Sequence, residues 1–401
     1  MLKVKRSLHY RILAVMTAFV FLLALAGCAK EEAAPTAGEE AKEEIRLGCV
    51  LSMSGGLGAM GEKMAKAVEL AVEEVNDAGG VNGRQVKLYQ EDDATDPATC
   101  RTAIKKLVEL NDVKLIIGSM TSGASMTCGP YVAERKVLLV SPSATSPELT
   151  GQPWRDYYFR TCPSDTFQGK VMAKIALDEG LKKAVILAMD NPYGTGLAKV
   201  IESALGGEAE VLTVIKYDPA KKDYLTELTQ IKNLNPDGVF HIGFNDDGRV
   251  IYQQALNLGL DKMRWIGCDG VYGTGMFATK AAAEFMAKAM VGTRPASPEG
   301  GKYEEFRQAY LAKFNTEPEV FCDTIYDATK LILDACAKTG TDDPAKVREA
   351  LLSLGRDYEG VSGRLTFDGQ GDRISGVYEL WAVVKKGEEY AFERVRLIEA
   401  E

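Results

Sequence analysis

The residues best suited to chemistry stand where apolar runs end. "KVLLV" (136–140) opens into "SPSATSPELT" (141–150), which carries Ser141, Ser143, Thr145, Ser146 and Thr150, with Pro142 and Pro147 fixing the backbone. "LIIGS" (115–119) is followed by "MTSGASM", hydroxyls and a glycine at the start of a helical pattern. "RWIGC" (264–268) ends at Asp269, and "AVILAMD" (184–190) at "NPYGTGL", which puts Tyr193 on a corner shaped by proline and glycine. Free N–H groups at a helix start, beside Thr121 and Ser122, suit a carboxylate. Thr145 can donate and accept, and the carbonyls of Ser143 and Ala144 can accept from an ammonium. Asp269 adds one carboxylate for a positive charge. One such loop is equally a plain turn with a helix cap. Four strand ends carrying the same kind of group favour a cradle for a zwitterion.

The elements that must position these groups alternate. Apolar runs at 45–52, 85–92, 114–119 and 136–141 are separated by helix-period segments, and the rhythm resumes at 183–190, 210–217, 238–243 and 264–269. Runs that are apolar throughout, rather than alternating, suit strands buried on both faces of a parallel sheet. This predicts an α/β fold made of two βαβ arrays of similar size, with ligands beyond the carboxyl ends of the strands. Late helices followed by the strands "GRLTFD", "GVYELWAVVKK" and "YAFERVRLIE" imply that the chain crosses back between the two halves.

Composition removes several classes of function. The formal net charge is −9 and no basic stripe is present, so nucleic acid is not an expected partner. Of two histidines only His241 lies in the globular part, inside the apolar run "GVFHIG", where it reads as a packed strand residue. Histidine-built zinc sites and serine triads lack their parts, and neither a metal nor a cofactor is expected. Gly56, Gly58 and Gly61 match G-x-G-x-x-G, but the turn is too long and the acids Glu91 to Asp93 come about ten residues too late for a dinucleotide. The eight cysteines include no C-x-x-C pair. Cys322 and Cys336, 14 residues apart in one helical pattern, are too far apart to bridge. Cys100 and Cys128, on successive helices able to flank one sheet face, form a candidate disulfide.

The amino end reads as an address. Basic residues at 3–11 precede the apolar run Ile12 to Ala26, which ends in Leu25-Ala26-Gly27-Cys28. That ending resembles a lipobox, which implies a signal peptide over 1–27 and a lipidated Cys28. Residues 28–44, mostly Ala, Glu and Lys, read as an acidic flexible tether.

With these features, "SMSGGLGAMGEKMAKAVELAVEEVNDAGGVNGR", "EDDATDPAT", "IIGSMTSGAS", "LLVSPSATSPELT", "YYFRTCPSDTFQG", "NPYGTGLA" and "FCDTIYDATKLIL" resemble the substrate-binding proteins of branched-chain amino-acid ABC transporters, a type I periplasmic binding fold. The resemblance covers nearly all of 45–399. It implies two lobes, 45–164 with 293–370 and 165–292 with 371–401, joined by three crossings near 162–165, 291–293 and 370–373. It also implies an amino-acid ligand between the lobes, capture by hinge closure without catalysis, a permease partner, a monomer and an exported, membrane-anchored location. By motif position, Ser122 and Thr145 would take the α-carboxylate. The Ser143 carbonyl, Thr145 and Asp269 would take the ammonium, with Asp165 near it. Tyr193, Phe244 and Tyr326 would wall the side-chain pocket, and Met60 would cover it. The chain departs from the family in having Asp269 where glutamate is common, Met60 where an aromatic is common, and Phe244, an aromatic without a hydroxyl. It also lacks the cysteine pair the best-known members have at the positions of Thr95 and Thr121. These departures leave open, beside an aliphatic amino acid, another small carboxylate or amide as ligand, and a ligand-sensing receptor as the role.

Overall fold

The structure is a computed structural model that describes residues 43–400. The expected signal peptide (1–27), Cys28 and all of the tether except Glu43 and Glu44 lie outside the described residues. Residues Glu44–Glu401 form one compact unit.

Two sheets organise it. The first holds β1 (Ile45–Leu51), β2 (Val86–Asp92), β3 (Leu115–Ile117), β4 (Leu138–Ser141), β5 (Tyr158–Pro163) and β13 (Asp372–Arg373), in the order β13-β5-β4-β3-β1-β2 and parallel throughout. The second holds β6 (Lys183–Met189), β7 (Glu210–Tyr217), β8 (Gly238–Ile242), β9 (Arg264–Gly267), β10 (Met290–Pro295), β14 (Gly376–Lys386) and β15 (Glu389–Ala400), in the order β15-β14-β10-β9-β8-β6-β7. There β6 to β10 are parallel, and β14 and β15 add on antiparallel. A small hairpin, β11 (Tyr358–Gly360) with β12 (Gly363–Leu365), stands apart.

Helices cover the sheets because parallel strands need crossovers. In the first lobe these are α1 (Gly58–Asp77), α2 (Pro97–Glu109) and α3 (Ser122–Glu134), joined later by α9 (Gly301–Phe314), α10 (Cys322–Thr339) and α11 (Pro344–Leu354). In the second they are α4 (Asp165–Asp178), α5 (Pro192–Leu205), α6 (Leu225–Leu234), α7 (Asn245–Asn257) and α8 (Lys280–Ala289). Helix starts follow local chemistry. Asp96 caps α2 by accepting from the Thr99 N–H, with Pro97 in the first turn, and Asn191 caps α5 from Gly194 with Pro192 likewise. The strands are buried on both faces: β3, β4, β5 and β8 expose nothing. Gly61, in the first turn of α1, serves packing. A Cβ on Gly61 would stand 1.9 Å from the Ser52 carbonyl oxygen, so α1 lies directly on the end of β1.

The chain passes between sheets three times. The first passage lies between Pro163 and Asp165. The one expected near 291–293 comes later, after Pro295, because β10 runs on in register with β14 from Val291↔Ala382 to Pro295↔Tyr378. The one expected near 370–373 comes after Arg373, because Asp372 pairs with β5. Asp372 is held there by Arg160 and Arg155, whose guanidiniums each reach its Oδ1 at 2.5 Å. Burial would push this carboxyl up, and the two arginines outweigh it, leaving it below its usual range.

The candidate Cys100–Cys128 disulfide is not formed. Both are free buried thiols with sulfurs 3.7 Å apart, from helices α2 and α3 that share one face of the first sheet. Among the described residues no helix is long and apolar enough to cross a membrane.

Candidate functional site

A small cavity lies between the sheets. Its lining comes from the residues that follow strand ends: Leu57 and Met60 after β1; Met120, Thr121 and Ser122 after β3; Ser143 after β4; Tyr193 after β6; Phe244 after β8; Asp269 and Gly270 after β9. Phe321, just before α10, completes it. This is the crevice outside the carboxyl ends of parallel strands that open α/β sheets provide.

One end of the cavity offers donors. Helix α3 begins at Ser122, capped by the Thr121 hydroxyl, which accepts from the Ala124 N–H at 3.2 Å. The N–H groups of Ser122 and Gly123 have no partner within the helix. The Ser122 hydroxyl accepts from the Ser146 N–H at 3.2 Å, tying the β4 loop to this helix start. Ser143 spends its hydroxyl on the Met120 carbonyl at 2.9 Å, so its own carbonyl is the group it can offer.

The other end is acidic. Asp269 sits in a short 3-10 turn, Asp269–Val271, buried, with Oδ1 accepting from the Tyr193 hydroxyl at 2.9 Å. Burial raises its pKa, while hydrogen bonds from Tyr193 and Gln168 pull the other way. Asp165, wholly buried at the start of α4, accepts from the Thr145 hydroxyl at 2.7 Å through Oδ2, while its Oδ1 has no partner. Burial, then the negative charge of Asp269, holds Asp165 well above the ordinary carboxylate range. Among the described residues neither acid is in an ion pair. The region thus holds two neighbouring buried carboxylates that lack a cation.

Apolar groups fill the rest. Tyr193 and Phe244 stack, centroids 5.6 Å apart and planes 15° from parallel, opposite Leu57, Met60, Met120 and Phe321. Phe244 is anchored from behind. Its N–H donates to Asp247, which also accepts from the Tyr217 hydroxyl, and Tyr217 meets His241, whose Nδ1 is 2.6 Å from the Tyr252 hydroxyl. His241 is therefore a packed strand residue in a polar network, its pKa lowered by burial to about 3.

Of the expected site residues, the structure brings Met60, Ser122, Ser143, Tyr193, Phe244 and Asp269 onto the cavity. Thr145 and Asp165 do not line it and bond to each other. Two expectations are corrected. The Ala144 carbonyl accepts from Arg160 at 3.2 Å inside the first lobe and is not presented to the cavity. Tyr326 lies more than a turn inside α10, donates to Glu74 and packs on Phe306 at an outer groove. Its expected place is taken by Phe321. Leu57, Met120, Gly270 and Phe321 were not foreseen. Met120 and Gly270 directly follow strand ends and were open to that rule, whereas nothing local marks Phe321. Among the described residues no cluster of three His, Cys, Asp or Glu is placed to hold a metal.

Comparison with known proteins gives consistent relatives. A family model described as periplasmic binding protein matches residues 44–388. A Leu/Ile/Val-binding protein homolog 3 from Brucella melitensis is 31% identical over 84% of this chain and 91% of its own length. A leucine-, isoleucine-, valine-, threonine- and alanine-binding protein from Pseudomonas aeruginosa is 28% identical over 83% of this chain and 88% of its own length. Among solved structures, the branched-chain amino acid transporter substrate binding protein LivJ from Streptococcus pneumoniae, in complex with isoleucine, superposes with a TM-score of 0.76 at 28% identity, covering 88% of this chain and 99% of that one.

Proposed function

The chain belongs to the periplasmic binding protein family, and from that premise we propose that it is the extracytoplasmic substrate-binding component of an ABC importer that captures an aliphatic amino acid between its lobes. The observation that carries this reading is the buried pair Asp165 and Asp269, without a cation, beside an apolar cavity.

The α-carboxylate faces the start of α3, where free N–H groups and the positive end of the helix favour an anion. The ammonium meets Asp269 and the Ser143 carbonyl, with Asp165 behind, oriented by Thr145. An aliphatic side chain fits the wall of Leu57, Met60, Met120, Phe244 and Phe321. An unpaired buried carboxylate costs several kcal/mol, which a ligand ammonium offsets. The ligand therefore stabilises the closed arrangement most, because only there do both lobes touch it: Ser122 and Ser143 belong to the first lobe, Asp269 and Tyr193 to the second. The three crossings serve as the hinge. Names of the relatives support an amino acid with an aliphatic side chain. The protein acts by binding, without catalysis, as a monomer delivering to a permease, and is held to the membrane through lipidated Cys28.

A thermal-shift panel on the purified full-length protein, stripped of carried ligand, tests this. Leucine, isoleucine, valine, threonine and alanine are compared with matching carboxylates that lack the amine. A ligand at a hundred times its Kd adds about 2.7 kcal/mol, a rise of several degrees. The expected result is such a rise with at least one amino acid, abolished in Asp269→Ala. A rise only with amine-free acids removes the role given to Asp269, and no rise with any compound overturns the proposal.

A further inference from the structure

The loop leading into α10 does two things at the cleft. Phe321 lines the cavity from the first lobe, with a φ of +67°, a left-handed conformation that is costly for a phenylalanine. Two residues earlier, Glu319 places one carboxylate oxygen, Oε1, among three donors. The Lys63 ammonium lies at 2.6 Å, from the first lobe. The Thr274 hydroxyl and N–H lie at 2.5 and 3.4 Å, from the second. The approach is close: a Cβ on Gly273 would stand 3.4 Å from the other oxygen of Glu319. Glu319 is only 9% exposed, and its bond to Lys63 is less screened than the surface pair Lys199–Glu148, which also spans the lobes, while its bonds to Thr274 lie at the surface.

We infer that the segment Glu319–Phe321 is a latch: Glu319 fastens the second lobe through Thr274, and Phe321 ties that fastening to occupancy of the cavity. This rests on the proposed closing of a ligand cleft. Lys63 holds the Glu319 carboxylate in place on the first lobe, so half of the latch exists before closure. A ligand packed on Phe321 fixes the left-handed turn, and with it the position of Glu319 two residues away. Glu319 never touches the ligand. It therefore acts on how long the lobes stay shut rather than on what enters.

The test uses the full-length protein with Cys28 replaced by serine and dyes on cysteines introduced at the exposed positions Lys105 and Lys222, one in each lobe, since the seven cysteines of the described region are all buried. Single-molecule energy transfer gives the closed fraction with and without L-isoleucine, and stopped-flow gives kon and koff. Thr274→Val and Glu319→Ala are each expected to shorten the closed state and speed release about three- to tenfold with kon unchanged, as loss of one solvent-exposed hydrogen bond of ordinary net strength predicts. The double variant should be no worse than the worse single variant. Glu317→Ala, on the same loop but paired with Arg307 within the first lobe, should change nothing. Additive effects of the two substitutions, or unchanged closed lifetimes, overturn the latch. If neither isoleucine nor any other amino acid of the thermal-shift panel closes the wild type, the amino-acid reading falls. The latch is then still judged by whether the two variants lower the closed fraction of the free protein and do so without additivity.

Discussion

Asp269 carries opposite consequences for binding and for stability. In the free protein it is a buried charge whose ionised form is disfavoured by desolvation. Asp269→Asn should therefore raise the melting temperature of the ligand-free protein. The same change should weaken amino-acid binding by about 2 to 5 kcal/mol, the cost of truncating one partner of a buried charge pair, measured by titration calorimetry. The pH dependence follows from the same group. An ammonium ligand needs an ionised partner, and the pKa of Asp269 is raised in the free protein, so affinity should fall as pH drops through that raised range. In Asp269→Asn the profile should be flatter. A wild-type affinity that rises on acidification would contradict the assignment. Much of this was legible in the sequence, because a lone acid directly after an apolar run stands where a parallel strand delivers its next residue. Asp165 was legible only by motif. The lack of a partner for its Oδ1 depends on contacts that no local pattern encodes.

At the scale of elements, β8 and α7 form a rigid mount for Phe244. Asp247, in the first turn of α7, accepts from the Phe244 N–H and from Tyr217, and burial raises its pKa to about 7. The folded state thus holds a proton that the unfolded chain, near 4, has given up between those values. Stability from this group is fully present below about pH 4 and is lost as pH rises through about 7. Asp247→Asn should remove that contribution, so the difference in melting temperature between pH 5 and pH 8 should shrink. An unchanged difference would show that Asp247 does not titrate in that window. Strands and helices themselves were readable from continuous apolar runs and helix period. The end of β10, and with it the second crossing, was not, because the extent of β10 is set by its partner β14, some ninety residues away, and Phe321 escaped notice because its role depends on a left-handed turn rather than on side-chain pattern.

For the whole molecule, the closed arrangement depends on how tightly the three crossings lie together. A Cβ on Gly376, at the third crossing, would stand 2.8 Å from the Pro163 Cβ at the first. Gly376→Val should therefore disfavour this arrangement. Release of ligand should quicken with little change in thermal stability of the free protein, measured by stopped-flow and calorimetry side by side. Equal affinity in the variant would mean that the crossings do not move against each other on closing.

The return of the chain to its first sheet has a consequence for assembly. Arg160 is buried from the moment β5 packs, yet its counter-charge, Asp372, lies 212 residues further on. A nascent chain emerging amino end first has formed nearly all of the first sheet before that carboxylate exists. Until then the arginine has only neutral partners, the Ala144 and Ser146 carbonyls and the Thr150 hydroxyl, and lacks its counter-charge. The last strand of the first sheet, β13, is thus the one that brings the buried arginine its counter-charge.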